Sequence, residues 1–170
     1  MAHKLDVWLF TTRVGLLALV NGRLSFLYVP EWLQTANAMP LSCSLPLQAE
    51  PFGDHLARPF FAGLLPEGKM RQLIAQQLQV SGQNDFALLD HIGGECAGAV
   101  TFTEQGQALP QFPREDDVQW LADEELVAIL DELPHRPMLA GKDGLRLSLA
   151  GAQDKLPVVF DGVRIGLPRN

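Results

Sequence analysis

Cysteine is scarce in this sequence: Cys43 and Cys96 are the only two in 170 residues, and neither has a C-x-x-C partner. That excludes a disulfide framework and offers no zinc-ligand spacing, so both are expected to be small buried hydrophobes. Long hydrophobic runs are missing too. Stretches such as VGLLALV fall far short of the roughly 20 residues that cross a bilayer, and MAHKLDVW has no apolar signal core. The expected address is therefore the cytoplasm, with no membrane partner. Positive charge is also in deficit, 13 Lys and Arg against 20 Asp and Glu, a net charge of −7. Gripping nucleic acid takes clustered Lys and Arg, so direct binding is excluded and DNA is within reach only through a basic partner.

What is present is the composition of a globular chain, 47% hydrophobic and 19% charged, long enough for one domain with a core or for one domain and part of a second. Three β-type runs open it, about residues 4–10, 13–20 and 23–29, and Asn21-Gly22 between the last two fits a type I′ hairpin turn. They predict an antiparallel meander that Pro30 ends, with a short turn or helix at 31–33. MPLSCSLPL reads as an edge strand or extended segment. Pro59 opens a helical patch that Pro66 breaks, and Met70, Leu73, Ile74 and Leu78 then form the apolar stripe of an amphipathic helix stopped by Ser81-Gly82.

Asn84 or Asp85 caps a further short helix that Gly93-Gly94 ends, and a strand follows at about 98–102. Residues 103–117 predict a flexible loop. Asp123 caps a helix whose Leu126, Ile129, Leu130 and Leu133 share a face until Pro134 and Pro137. The fold class is thus α+β: a meander, barrel-like, with packed helices over residues 1–137, then a β-rich segment over 138–170.

That last segment, LRLSLAGAQDKLPVVFDGVRIGL, reads strand, loop, strand. Small residues let backbone N–H groups approach phosphate oxygens. Ala150, Gly151 and Ala152 suit that, with Lys155 as a phosphate contact, but an ordinary hairpin turn suits the residues equally. The Walker A pattern is excluded, because Arg136 stands where its first glycine would be. Ser148 has no histidine beside it and no G-x-S-x-G elbow, so it is either a strand hydroxyl facing solvent or a phosphorylation target. His3, His55, His91 and His135 are scattered without a metal-ligand spacing, and His91 suits a helix end. FFAGLLPEGKMR is dense in apolar residues, either as core or as a docking surface.

YVPEWL, LSCSLPLQ, FFAGLLPEGKMRQLIA, FALLDHIGGECAGAVTF and LSLAGAQDKLPVV, in this order along nearly the whole chain, resemble the HipA family of bacterial serine/threonine kinase toxins. The resemblance implies a kinase-like domain preceded by an N-terminal subdomain, so residues 138–170 would hold the first β hairpin of that domain. It implies a nucleotide-phosphate loop at Ala150, Gly151, Ala152, Gln153, Asp154 and Lys155, and an autophosphorylation site at Ser148 whose modification shuts the kinase off. ATP and Mg²⁺ are the implied cofactors of the intact enzyme. The implied partners are a HipB helix-turn-helix antitoxin, with DNA reached only through it, and a protein substrate, an aminoacyl-tRNA synthetase in well-studied members.

A phosphoryl-transfer site needs a lysine on the strand after the loop, an Asp that orients the attacking hydroxyl, and Mg²⁺ ligands. No lysine follows Lys155, and Asp161 falls in an Asp-Gly turn. These 170 residues are therefore expected to lack catalytic residues and to be inactive alone, with an unpaired sheet edge after about Gly141. The rival expectation is a stand-alone binding module that docks on a separate kinase core.

Overall fold

The computed structural model describes residues 3–95, 99–109, 118–132 and 158–168. Strands β1 (His3–Leu9), β2 (Thr12–Val20) and β3 (Arg23–Tyr28) form the expected meander. Asn21 and Gly22 turn it with φ of 51° and 74°, the left-handed pair that a type I′ turn requires. Register slips between Val7 and Trp8, so Val14 is the extra residue of a bulge and faces inward, fully buried. Helix α1 (Pro30–Leu33) follows with proline at its start, where a missing N–H costs nothing.

The segment expected as an edge strand or extended segment holds a tight turn at 42–45. Ser42 and Leu45 form an isolated bridge, and the Tyr28 hydroxyl fastens it, donating to the Leu45 carbonyl at 2.7 Å and accepting from the Leu41 amide at 2.8 Å. Burial holds the Tyr28 hydroxyl above its usual pKa, with the Leu41 bond acting the other way. Cys43 stands exposed on this turn, contrary to expectation, because two-residue tips have no inside. Cys96 lies outside the described residues.

Helix α2 (Asp54–Ala62) begins five residues before Pro59, which sits inside it. Asp54 starts it through a contact no local pattern shows: its carboxylate accepts from the Leu24 amide of β3 at 2.6 Å. Arg58 beside it, and then that amide, hold the Asp54 carboxyl below the usual range. Helix α3 (Gly68–Gln77) buries Ile74 and Ala75, with Met70 and Leu78 packed partly against the core. It stops before Ser81-Gly82, because Gln79 takes φ 56° and two bonds close a Schellman motif, Val80 N–H to the Ala75 carbonyl and Gln79 N–H to the Gln76 carbonyl.

Asn84 caps helix α4 (Asp85–Ile92) by accepting from the Ala87 amide. Asp85 is thereby left for other work. A 3-10 turn at Gly93–Glu95 leads to β4 (Val100–Glu104), which pairs antiparallel with β1, so the open sheet runs β3-β2-β1-β4. Thr103 and Glu104 thus belong to a strand rather than to a loop, and 110–117 lie outside the described residues. The α+β class is as expected.

Strand β5 (Val118–Trp120), helix α5 (Asp123–Glu132), β6 (Val159–Phe160) and β7 (Ile165–Pro168) complete the elements. The cap of α5 is Ala122 rather than Asp123: its carbonyl accepts the first helical bond, from Leu126, and Glu125 reaches back to its amide at 2.8 Å. The second sheet has the order β5-β7-β6, so β7 pairs on both sides within the chain, and the part of the expected hairpin before residue 158 lies outside the described residues.

The core is a single cluster between the first sheet and α1 to α4. Phe61 and Leu65 are buried and Phe60 and Leu64 pack against that cluster, so FFAGLLPEG is core and not a docking surface. Phe26 lies over Gly15, where an added Cβ would come within 2.3 Å of the ring. Replacing Gly15 with Ala should therefore cost about 1–3 kcal/mol in urea unfolding. Gln79→Gly should raise stability by about 0.5–1 kcal/mol, since about 1–2 kcal/mol of left-handed strain is relieved against roughly 0.4–1 kcal/mol of added chain entropy.

Candidate functional site

Ser148, Ala150, Gly151, Ala152, Gln153, Asp154 and Lys155 all lie outside the described residues, as do His135 and the boundary near residue 137. What is described is the β6–β7 hairpin that follows them, and β5, which pairs with it. Asp161 and Gly162 turn β6 into β7, Gly162 with φ 99°. One Asp161 oxygen accepts from the Val163 amide at 2.9 Å and the Arg164 amide at 2.7 Å, and the other from the Arg164 guanidinium at 2.9 and 3.0 Å. These bonds, the Arg164 amide first, hold the Asp161 carboxyl down at about 2. A carboxylate so occupied fastens the turn.

The Arg164 guanidinium also lies 4.2 Å from the centre of the Trp120 ring. Trp120 pairs across β5 and β7 with Gly166, where a Cβ would sit 2.5 Å from the Val118 side chain. Glycine is what lets these strands close with the indole over them.

Two other places gather ionised groups. Asp85, buried at the start of α4, is gripped by Arg58 from α2, at 2.6 Å, and by Arg71 from α3. Arg58 further donates to the Gly22 carbonyl at 3.0 Å and Arg71 to the Gly82 carbonyl at 2.6 Å. Asp54, and then Asp85, raise the Arg58 pKa against the effect of burial. Every oxygen of Asp85 is used, so this network fixes helices and offers nothing to a substrate. No sequence pattern announced it, since isolated Arg residues in helices look like solvated faces.

The second is an open cleft of about 230 Å³ among His3, Lys4, Phe86, Asp90, Glu104 and Gln105. It is smaller than the roughly 300–1,000 Å³ of typical small-molecule sites. Among the described residues no three His, Cys, Asp or Glu side chains gather to hold a metal, and no helix is long and apolar enough to cross a membrane.

The HipA N-terminal domain, as a family model, matches residues 5–103, more than half of the chain. The chain belongs to the HipA family. A putative kinase of Sinorhizobium fredii is 49% identical over 150 residues, 87% of this chain and 36% of that protein. The serine/threonine-protein kinase toxin HipA of Shewanella oneidensis is 33% identical over 135 residues, 79% of this chain and 30% of that protein.

A solved complex of HipA, HipB and operator DNA from the same bacterium contains a chain that superimposes with TM-score 0.71 at 28% identity. The match covers 97% of this chain and 39% of that one. An uncharacterized protein of Haemophilus influenzae is 31% identical over 101 residues, 59% of this chain but 92% of that protein. The chain therefore spans about a third of the two kinase relatives and matches nearly all of the short one.

In this HipA-family chain the Asp161 turn supplies a titration test. Its carboxyl sits below the ordinary 3.8, so the ionised form is the one the fold favours. Its contribution to the β6–β7 hairpin is complete above that value and is lost as pH falls toward 2. Carbon-detected NMR should show the Asp161 carboxyl titrating near 2, and Asp161→Asn should remove that part of the acid dependence of hairpin amide protection.

Proposed function

We propose that this chain is the N-terminal part of a HipA-type serine/threonine kinase toxin that phosphorylates a protein with ATP and Mg²⁺ and is neutralised by a HipB-type antitoxin in the cytoplasm. DNA is reached only through the antitoxin. An aminoacyl-tRNA synthetase is the first substrate to test. The observation that carries the reading is the superposition of 97% of the chain on a HipA solved together with HipB and operator DNA. The boundary falls near residue 137, with the kinase-like domain beginning after it.

In this reading the amides of Ala150, Gly151, Ala152, Gln153 and Asp154 receive nucleotide phosphates, aided by the Lys155 charge. Bound ATP supplies the phosphoryl group, and Mg²⁺ neutralises its charge. Phosphate on Ser148 adds up to about two negative charges beside a loop that binds anions, so it expels the nucleotide and silences the enzyme. Residues 1–170 alone transfer nothing, because no lysine follows Lys155 and Asp161 is taken up by its turn.

One observation favours a second reading, a separate module that binds and restrains a kinase core. The Haemophilus influenzae relative is matched over 92% of its length, so a protein little longer than the matched region exists by itself. The apolar FFAGLLPEG segment does not serve that reading, being core.

Labelled ATP separates the two. The continuous reading frame from the source genome should incorporate phosphate on Ser148, by mass spectrometry, and lose it in Ser148→Ala, while residues 1–170 incorporate none. Label persisting in Ser148→Ala would overturn the switch assignment. A reading frame without kinase activity, coupled with inhibition of a separately encoded kinase core, would replace the first reading with the second.

A further inference from the structure

We propose that Trp120 is a positioning residue for ATP in the function proposed above, on which this inference rests. From β5 it latches the β6–β7 hairpin through Arg164, and that hairpin tethers the residues expected to meet the nucleotide phosphates.

The hairpin is poorly equipped to hold itself. Strand β6 has two residues and β7 four, and a two-stranded hairpin is at best marginal in water. Its apolar side chains add little, since Phe160 and Val163 are 64% and 88% exposed, although Leu167 is buried. The third strand comes from well upstream. Strand β5 precedes α5, yet among the described residues it pairs with β7 alone, and the Leu121 amide donates to the Ile165 carbonyl at 3.0 Å.

Trp120, Gly166 and Val159 stand in one row across β5, β7 and β6. Alternate residues of a strand share a face, so Arg164 lies on the same side of the sheet as Gly166. The indole passes over the bare glycine to meet the guanidinium, which in turn donates to Asp161 at the hairpin turn. One contact thus joins the edge strand, the central strand and the turn.

Chain length carries the effect to the phosphate loop. Lys155 precedes Val159 by four residues, which span at most about 14 Å. Any shift of the row that Trp120 begins therefore moves the point from which Lys155 is tethered. An arginine over a tryptophan is by itself an ordinary surface contact. At this seam it lets a strand made before α5 set the place of residues that follow the loop, and a site that works by positioning tolerates little displacement.

The test uses the continuous reading frame containing this chain, with initial rates of phosphate incorporation measured over a range of ATP and normalised to folded protein. Trp120→Ala should raise KM for ATP by about tenfold and leave kcat within about twofold. Trp120→Phe, which keeps an aromatic face for Arg164, should return KM to near its original value. Gly166→Ala parts the same strands from the other side, by placing a methyl group 2.5 Å from the Val118 side chain, and should also raise KM. Combined with Trp120→Ala it should add little, because both act on one contact.

An unchanged KM in Trp120→Ala and Gly166→Ala, with rates falling only as folded protein is lost, would make the contact merely structural and leave the proposed function standing. Failure of Trp120→Phe to restore KM would overturn the latch through Arg164. Absence of phosphate incorporation by the wild-type protein would overturn the function and this inference together.

Discussion

The main core depends on one contact, the Phe26 ring packed against Gly15 where a Cβ would otherwise stand. The ring sits 4.8 Å from Tyr28, 5.2 Å from Phe61 and 6.1 Å from Phe52. The Phe26 backbone simultaneously exchanges both of its hydrogen bonds with Phe52. One residue of β3 therefore joins a neighbouring strand, the chain returning beyond the Ser42–Leu45 turn, and α2. Phe61 carries the contact on to Phe102 of β4, at 5.8 Å, so the aromatic cluster reaches the opposite edge of the sheet. Packed interiors transmit a change in one ring to all its neighbours, because there is little void to absorb it.

Around that core, charge does the positional work that apolar packing cannot. Hydrophobic contact is indifferent to direction, whereas a carboxylate gripped from two sides fixes the helices that grip it. Asp85 with Arg58 and Arg71 sets α2, α3 and α4 against one another and ties α2 to the β2–β3 turn. Asp6, buried on β1, does the same for the sheet, binding Arg13 at 2.6 Å and the Gly106 amide at 2.8 Å. Among the described residues, Arg13, Arg58 and Arg71 are thus committed to holding the fold.

Local chemistry was readable in advance, and long-range contacts were not. Asn21-Gly22, Pro30, Asn84 and Asp161-Gly162 each announce a turn or a cap through the conformations their own atoms favour. The start of α2 at Asp54 was hidden because its partner, the Leu24 amide, is 30 residues away. The stop of α3 at Gln79 was hidden because glutamine gives no sign of accepting a left-handed conformation. The turn around Cys43 is made by Tyr28, and nothing within MPLSCSLPL points to a tyrosine outside it. Of the candidate site, Ser148 and the loop expected at 150–155 lie outside the described residues, and the acidic, half-apolar α5 was legible in composition but not in exposure.

The pairing of β1 with β4 gives the domain a history as well as a shape. Leu5 meets Glu104 and Leu9 meets Val100, so the strand made first waits for a partner made about 95 residues later. On a ribosome adding roughly 5–20 residues each second, β1 has one open edge for several seconds while β2, β3 and the helices emerge. The nascent meander is in that interval a sheet with a vacancy on the flank of its oldest strand. Such a gap can be filled by the wrong strand, from the same chain or from a neighbour on the same message. The bulge at Val14 and the charged Asp6 and Lys4 on β1 break the flat, apolar register that a mispaired strand would need, and keep the place open for β4.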